Sequence, residues 1–150
     1  MRNGWIIPAA AAWRRPIVAP GGALAAWLYA ACEVTTTVGK DNSPVTIKEE
    51  TDYPFTGQVR LTLNPRQATS FPLYLRIPGW CRHADVSVND VPWNGPRLLN
   101  KGYLEIARRW APGDSITLDL AMPVERVYSR PEVRANAGRV ALQRGPLVYA

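Results

Sequence analysis

Three acidic residues crowd one stretch of this sequence, Glu49, Glu50 and Asp52, and a close pair of carboxyls is what glycoside hydrolysis requires. That chemistry needs two carboxyl groups about 5–5.5 Å apart for retention or about 6.5–9.5 Å apart for inversion. On a β-strand, successive side chains point to opposite faces, so Glu50 and Asp52 would share one face and Glu49 the other. Outward-facing charges on a half-exposed sheet are ordinary, and a solvated charged face is the expectation for all three. Cys81 and His83 stand two apart and would share a strand face. A structural zinc site takes about four ligands, however, and no second Cys/His cluster follows. A buried thiol and a surface imidazole are therefore expected. The two cysteines, Cys32 and Cys81, allow at most one disulfide and exclude a disulfide-built scaffold. His83 has no patterned Ser or Asp partner, and the sequence holds neither a nucleophile elbow nor a phosphate-binding glycine loop. These residues compose no catalytic set.

The elements that would position such residues are strands. Val45 and Ile47 alternate with Thr46 and Lys48; Val59, Leu61 and Leu63 with Gln58, Arg60 and Thr62; Leu73, Leu75 and Ile77 with Tyr74 and Arg76. Val86 and Val88 follow, then Leu104 and Ile106 around Glu105. Ile116, Leu118 and Leu120 stand against Ser115, Thr117 and Asp119, and Val140 and Leu142 against Ala141 and Gln143; a last apolar run starts at Pro146. A period of two puts one face of each run in a core and the other in water. Turn formers separate the runs at Gly39 to Pro44, Asn64-Pro65, Pro78-Gly79, Asn89 to Gly95 and Pro112-Gly113-Asp114. Short strands at this spacing with no helical period predict an all-β fold, an antiparallel β-sandwich of jelly-roll-like kind. The 14 prolines in 150 residues argue against a helical bundle, and Pro72 and Pro123 fall where a strand tolerates a missing N–H.

A hydrophobic content of 47% excludes disorder for most of the length. The net charge of +6 is uneven, since residues 1–32 hold Arg2, Arg14 and Arg15 and no acid. Arg126, Arg130, Arg134, Arg139 and Arg144 are irregularly spaced and interrupted by Glu132. They read as a solvated basic edge, so no nucleic-acid partner is expected. Residues 1–25 are read as a leader outside the fold, irregular or helical, disordered, frameshifted or weakly signal-like. No membrane span is expected, because Arg14 and Arg15 divide two apolar stretches that are each too short. A basic segment ending at Arg15, with Ala30 and Ala31 just before Cys32, also fits a lipoprotein signal; Pro20, Gly21, Gly22 and Tyr29 fit it poorly. The compartment stays open, leaning to the cytoplasm unless residues 1–32 act as a signal.

Several segments resemble glycoside hydrolase family 127, the β-L-arabinofuranosidases and their relatives. They are Glu50-Thr51-Asp52-Tyr53-Pro54-Phe55, then Gly57 to Leu63, and Phe71-Pro72-Leu73-Tyr74-Leu75-Arg76-Ile77-Pro78-Gly79-Trp80-Cys81. The likeness runs on through Val86 to Asn89, Gly102 to Ile106, Trp110, Gly113-Asp114, Met122-Pro123-Val124 and Gly138 to Tyr149. It covers about residues 26–150, which is read as one β-sandwich domain resembling the family's middle domain. Leu28, Tyr29 and Glu33 to Val38 also resemble the strand that enters this domain from the catalytic one.

The resemblance implies a catalytic (α/α)₆ barrel elsewhere in the family, with a zinc-held cysteine nucleophile in that barrel. Cys81 matches the Trp-Cys of the sandwich motif and Cys32 matches no catalytic position. No catalytic residue, cofactor or metal is therefore expected in this chain. The chain is read as truncated: a non-catalytic accessory sandwich whose partner is the barrel, inactive alone, with an apolar patch left uncovered. The alternative is a freestanding carbohydrate-binding module for arabinose-containing glycans. In that reading Trp80, Trp93, Tyr103 and Trp110 stack on sugar rings; otherwise these aromatics pack in the core or at a domain interface.

Overall fold

The computed structural model describes residues 17–19, 22–95, 99–100, 102–130, 132–136 and 138–149. Among them the fold is almost wholly β. The strands are β1 (Ile17–Ala19), β2 (Ala23–Ala26), β3 (Cys32–Val38), β4 (Ser43–Thr51), β5 (Gln58–Pro65), β6 (Thr69–Arg76), β7 (Ala84–Val88) and β8 (Val91–Pro92). They continue as β9 (Leu99–Asn100), β10 (Tyr103–Trp110), β11 (Asp114–Leu120), β12 (Val124–Tyr128), β13 (Val140–Arg144) and β14 (Leu147–Tyr149). One turn of 3₁₀ helix, Arg134–Asn136, separates β12 from β13.

Two sheets make the sandwich. One has the order β1-β2-β6-β10-β9, the other β3-β4-β5-β11-β7-β8. Their facing sides meet in one apolar cluster. The first sheet supplies Leu24, Phe71, Leu73, Leu75, Leu104, Ile106 and Trp110, and the second answers with Val38, Val45, Ile47, Leu61, Leu63, Ile116 and Leu118. Each Leu or Ile fully withdrawn from water contributes about 1.5–3 kcal/mol. The alternation read in the sequence is the alternation of burial: Val59, Leu61 and Leu63 are inside while Gln58, Arg60 and Asn64 are out.

The strands begin earlier than residue 26. Ala23–Ala26 is a strand of the first sheet, with Ala23 and Leu24 buried, and Ile17–Ala19 pairs with it. That part of the expected leader belongs to the fold; residues 1–16, 20 and 21 lie outside the described residues. The pairing of β2 with β6 is also parallel, Leu24 opposite Leu73, whereas every other pairing among the described residues is antiparallel. The turn into β2 needs a glycine. Gly22 has φ +77°, its carbonyl accepts from Gly39 N at 2.8 Å, and a Cβ built on it would lie 2.3 Å from Gly39 O.

Beyond residue 123 the chain leaves the sandwich. Strands β12, β13 and β14 form a separate three-stranded antiparallel sheet, and none of its residues belongs to the core cluster. Val124, Tyr128, Val140, Leu142 and Tyr149 share one face by register, and all five are exposed. Arg126 and Arg144 stand on the same face, so apolar and basic side chains alternate there. Arg82 ties this sheet to the sandwich through Glu125 at 3.3 Å, and so does Arg144, which donates to Phe55 O at 2.7 Å.

A polar lock joins two hairpin ends. Asn89, at φ 51° in the turn after β7, donates from its side-chain amide to Asp114 Oδ1 at 2.8 Å and accepts from Ser115 N at 2.8 Å. Asp114 Oδ2 accepts from Ala111 N at 2.8 Å. Burial works to raise the Asp114 pKa, but these hydrogen bonds and the Arg108 charge outweigh it and hold the carboxyl below its ordinary value. Asn89→Ala leaves Ser115 N–H and one Asp114 oxygen without these partners, so a loss of about 1–3 kcal/mol is expected in denaturant unfolding. A loss below about 0.5 kcal/mol, the range of ordinary surface changes, would show that the lock is not structural.

Candidate functional site

None of the four aromatics singled out in the sequence is exposed. Trp110 closes β10 and is fully buried; its indole N–H donates to Phe71 O at 3.0 Å, and its ring lies against Phe71 with centroids 6.1 Å apart. It is a core residue, which removes it from any sugar-stacking surface. Trp80 sits at the tip of the Pro78-Gly79 turn, which is closed by Cys81 N donating to Pro78 O at 2.9 Å. It stacks on Tyr53 at 6.5 Å, and Tyr53 in turn meets the edge of buried Tyr29 at 6.0 Å. Trp93 follows β8, held by its N–H donating to Val86 O at 2.8 Å. Its indole packs against Gly95, and its Nε1 is buried with no hydrogen-bond partner among the described residues. Tyr103 is half-buried at the start of β10, opposite Arg76 and Asn100.

Tyr53 and Tyr29 were not among the four candidate aromatics, although Tyr29 stands in the segment that resembles the family's entering strand. Tyr53 lies in the Glu50–Phe55 segment that carries the family likeness, which was its one sequence signal. Tyr29 is fixed by its hydroxyl, which donates to Arg76 O at 2.6 Å. Burial raises its pKa, and the nearby Glu49 charge raises it further.

The acidic cluster is split by the strand that carries it. Glu49 is not on a solvated face, as expected, but in register with Val45 and Ile47 on the core side of β4. Its Oε1 accepts from Ala30 N at 2.9 Å. Burial lifts its pKa from 4.5 to about 7, against the stabilising pull of that N–H. Glu50 points outward and pairs with Lys48 Nζ at 2.7 Å. Asp52 lies exposed beyond the strand, its carbonyl accepting from Phe55 N at 2.9 Å. Glu49 and Glu50 face opposite sides of one sheet and do not converge on a glycosidic bond.

Zinc–thiolate chemistry fits no better. Cys81 donates its thiol to His83 O at 3.0 Å, and burial raises its pKa against the backbone hydrogen bonds of His83 and Ala121. A raised thiol pKa disfavours the thiolate that both nucleophile and metal ligand require. His83 Nε2 faces Asp85 at 3.3 Å on the surface. Among the described residues no group of three or more His, Cys, Asp or Glu side chains is placed to hold a metal ion. Nor is any helix among them long and apolar enough to cross a membrane.

The "Beta-L-arabinofuranosidase, GH127 middle domain" family matches residues 23–122, two thirds of the chain. The chain belongs to glycoside hydrolase family 127. Its residues 124–150 match the "Glycoside hydrolase family 127 C-terminal domain", so the two matched ranges meet where the third sheet leaves the sandwich. The non-reducing end β-L-arabinofuranosidase of Bifidobacterium longum subsp. longum is 37% identical over 111 residues, 71% of this chain and 17% of that protein. The crystal structure of a GH127 β-L-arabinofuranosidase from Geobacillus stearothermophilus T6 superposes with a TM-score of 0.77 at 48% identity, covering 87% of this chain and 20% of that one. A second solved GH127 β-arabinofuranosidase superposes at 0.75 with 32% identity, over 87% and 22%. The family 127 chain described here thus spans about a fifth of the length of these relatives.

Proposed function

We propose that this family 127 chain is a non-catalytic accessory sandwich of a β-L-arabinofuranosidase-like hydrolase, and that it supports a catalytic (α/α)₆ barrel. The observation that carries this reading is a self-sufficient core within the middle-domain match. Residues 23–122 close two sheets on one another, while this chain covers only 17% and 20% of the relatives that share the segment. The split of Glu49 from Glu50 agrees with it, since the acidic cluster presents no carboxyl pair to a substrate. Zinc, in this reading, belongs to the barrel. The freestanding carbohydrate-module reading is weakened by Trp110, which is wholly in the core.

Two measurements test the proposal. With an aryl β-L-arabinofuranoside, with and without added zinc, the chain is expected to release no more product than its heat-denatured control; zinc-dependent turnover would sink the non-catalytic reading. Deleting the matching segment from the Geobacillus enzyme is expected to lower its soluble yield and melting temperature. An unchanged Tm together with full activity would remove the supporting role.

A further inference from the structure

At one end of the sandwich, three segments far apart in sequence line an open, polar cleft of about 410 Å³. The β3–β4 turn contributes Lys40 and Asp41, and Ser43 starts β4. The β5–β6 link contributes Gln67, while Thr69 and Ser70 start β6. Arg109 reaches the cleft from β10, directly opposite Ser70. The volume falls in the roughly 300–1,000 Å³ range of small-molecule sites.

The walls are held in place before any ligand arrives. Thr69 Oγ1 donates to Gln67 O at 2.8 Å, and Arg66 N donates to Pro44 O at 3.1 Å, tying the two turns together. Strand alternation separates the neighbouring arginines. Arg108 turns back over the Trp110 ring at 5.0 Å and toward Asp114 at 3.6 Å, while Arg109 is left exposed at the cleft. Among the described residues neither Lys40 nor Arg109 takes part in an ion pair.

We propose that this cleft binds an acidic saccharide, a sugar ring bearing a carboxylate. Arg109 offers the planar fork that matches a carboxylate with two parallel hydrogen bonds, and Lys40 adds a point charge. Asp41 accepts from ring hydroxyls, and Ser43, Ser70 and the Gln67 amide both donate and accept. The composition discriminates among ligands. A neutral sugar leaves two cations unused. A phosphate dianion brings a second negative charge against Asp41, and a nucleotide finds no aromatic ring lining the cleft for its base. This assignment rests on the cleft alone and does not depend on the accessory role proposed above, so either can fail without the other.

Calorimetric titration of the full chain with trigalacturonic acid, with maltotriose and inorganic phosphate as comparison probes, tests it. Saturable binding near 1 mM is expected at low salt for the uronate, weakening as salt rises. Arg109→Gln should weaken it at least about tenfold, the loss expected when a bidentate charged contact is removed, and Lys40→Gln by about threefold. Both side chains are exposed, so neither variant disturbs the core. No saturation with the uronate, equal binding of maltotriose, or undiminished binding by Arg109→Gln would each overturn the proposal. Phosphate binding as tightly as the uronate would reduce the cleft to a bare anion site and overturn it equally.

Discussion

Trp110→Ala is expected to destabilise the chain by about 3–5 kcal/mol, the range for truncating a large buried aromatic. Trp110 is among the largest fully buried side chains, at 0% exposure, and it joins three interactions. Its ring packs on Phe71, its N–H satisfies the Phe71 carbonyl at 3.0 Å, and it seats the Arg108 guanidinium at 5.0 Å. Alanine leaves a cavity, takes the indole N–H from the Phe71 carbonyl and displaces a cation together. Small domains have only about 5–15 kcal/mol of stability in total. A fall in Tm of about 10–20 °C should follow in a thermal melt. Trp110→Phe keeps one aromatic ring and loses the N–H with part of the buried ring volume, so it should cost less than alanine, about 1–3 kcal/mol. The contrast decides between the two roles considered for this residue. A sugar-stacking tryptophan truncated to alanine would leave Tm within about 2 °C and lose only ligand affinity.

The position of Trp110 was legible in β10 itself. Leu104 and Ile106 are inward, and counting on by two reaches 108 and 110, so Trp110 had to face the core and Tyr103 away from it. The same count along β4 puts Glu49 inside with Val45 and Ile47; its charge argued for water and hid the period. Other features had no such signal. β2 reads Ala-Leu-Ala-Ala, three of the four residues buried, and a strand covered on both sides loses the polar-apolar rhythm that marks a half-exposed one. The third sheet shows the rhythm clearly at Val140 and Leu142. Alternation tells which residues share a face, but not what covers that face, and here the face is exposed. The cleft was invisible for a different reason. Lys40, Gln67 and Arg109 carry no motif and meet only because β6 pairs with β10 in one sheet while the β3–β4 and β5–β6 turns fall at the same end.

Glu49→Gln is expected to stabilise the chain above neutral pH and to leave it unchanged in acid. Folding lifts the Glu49 pKa from 4.5 to about 7, because the carboxylate is buried on the core face of β4, and the opposing pull of its hydrogen-bond donor, the Ala30 N–H, does not offset that burial. Below pH 4.5 both the folded and unfolded chains hold the proton, and the full stability is present. Between 4.5 and about 7 the unfolded chain gives up its proton while the folded chain keeps it, so stability falls as pH rises. Above that window the loss is constant, at about 3 kcal/mol for a shift of this size. Glutamine removes the titration and can still accept from Ala30 N, so the variant should gain about 2–3 kcal/mol at pH 8 and nothing at pH 4. Asp114 works with the opposite sign and in a different window. Its lowered pKa stabilises the fold above its ordinary value of 3.8 and is lost only as pH falls below that. Denaturant midpoints of the parent chain and the variant, measured from pH 4 to pH 8, should therefore coincide at the acid end and diverge through the window where Glu49 ionises. Curves that stay parallel throughout would mean that Glu49 is not a buried carboxyl and that β4 does not turn it toward the core.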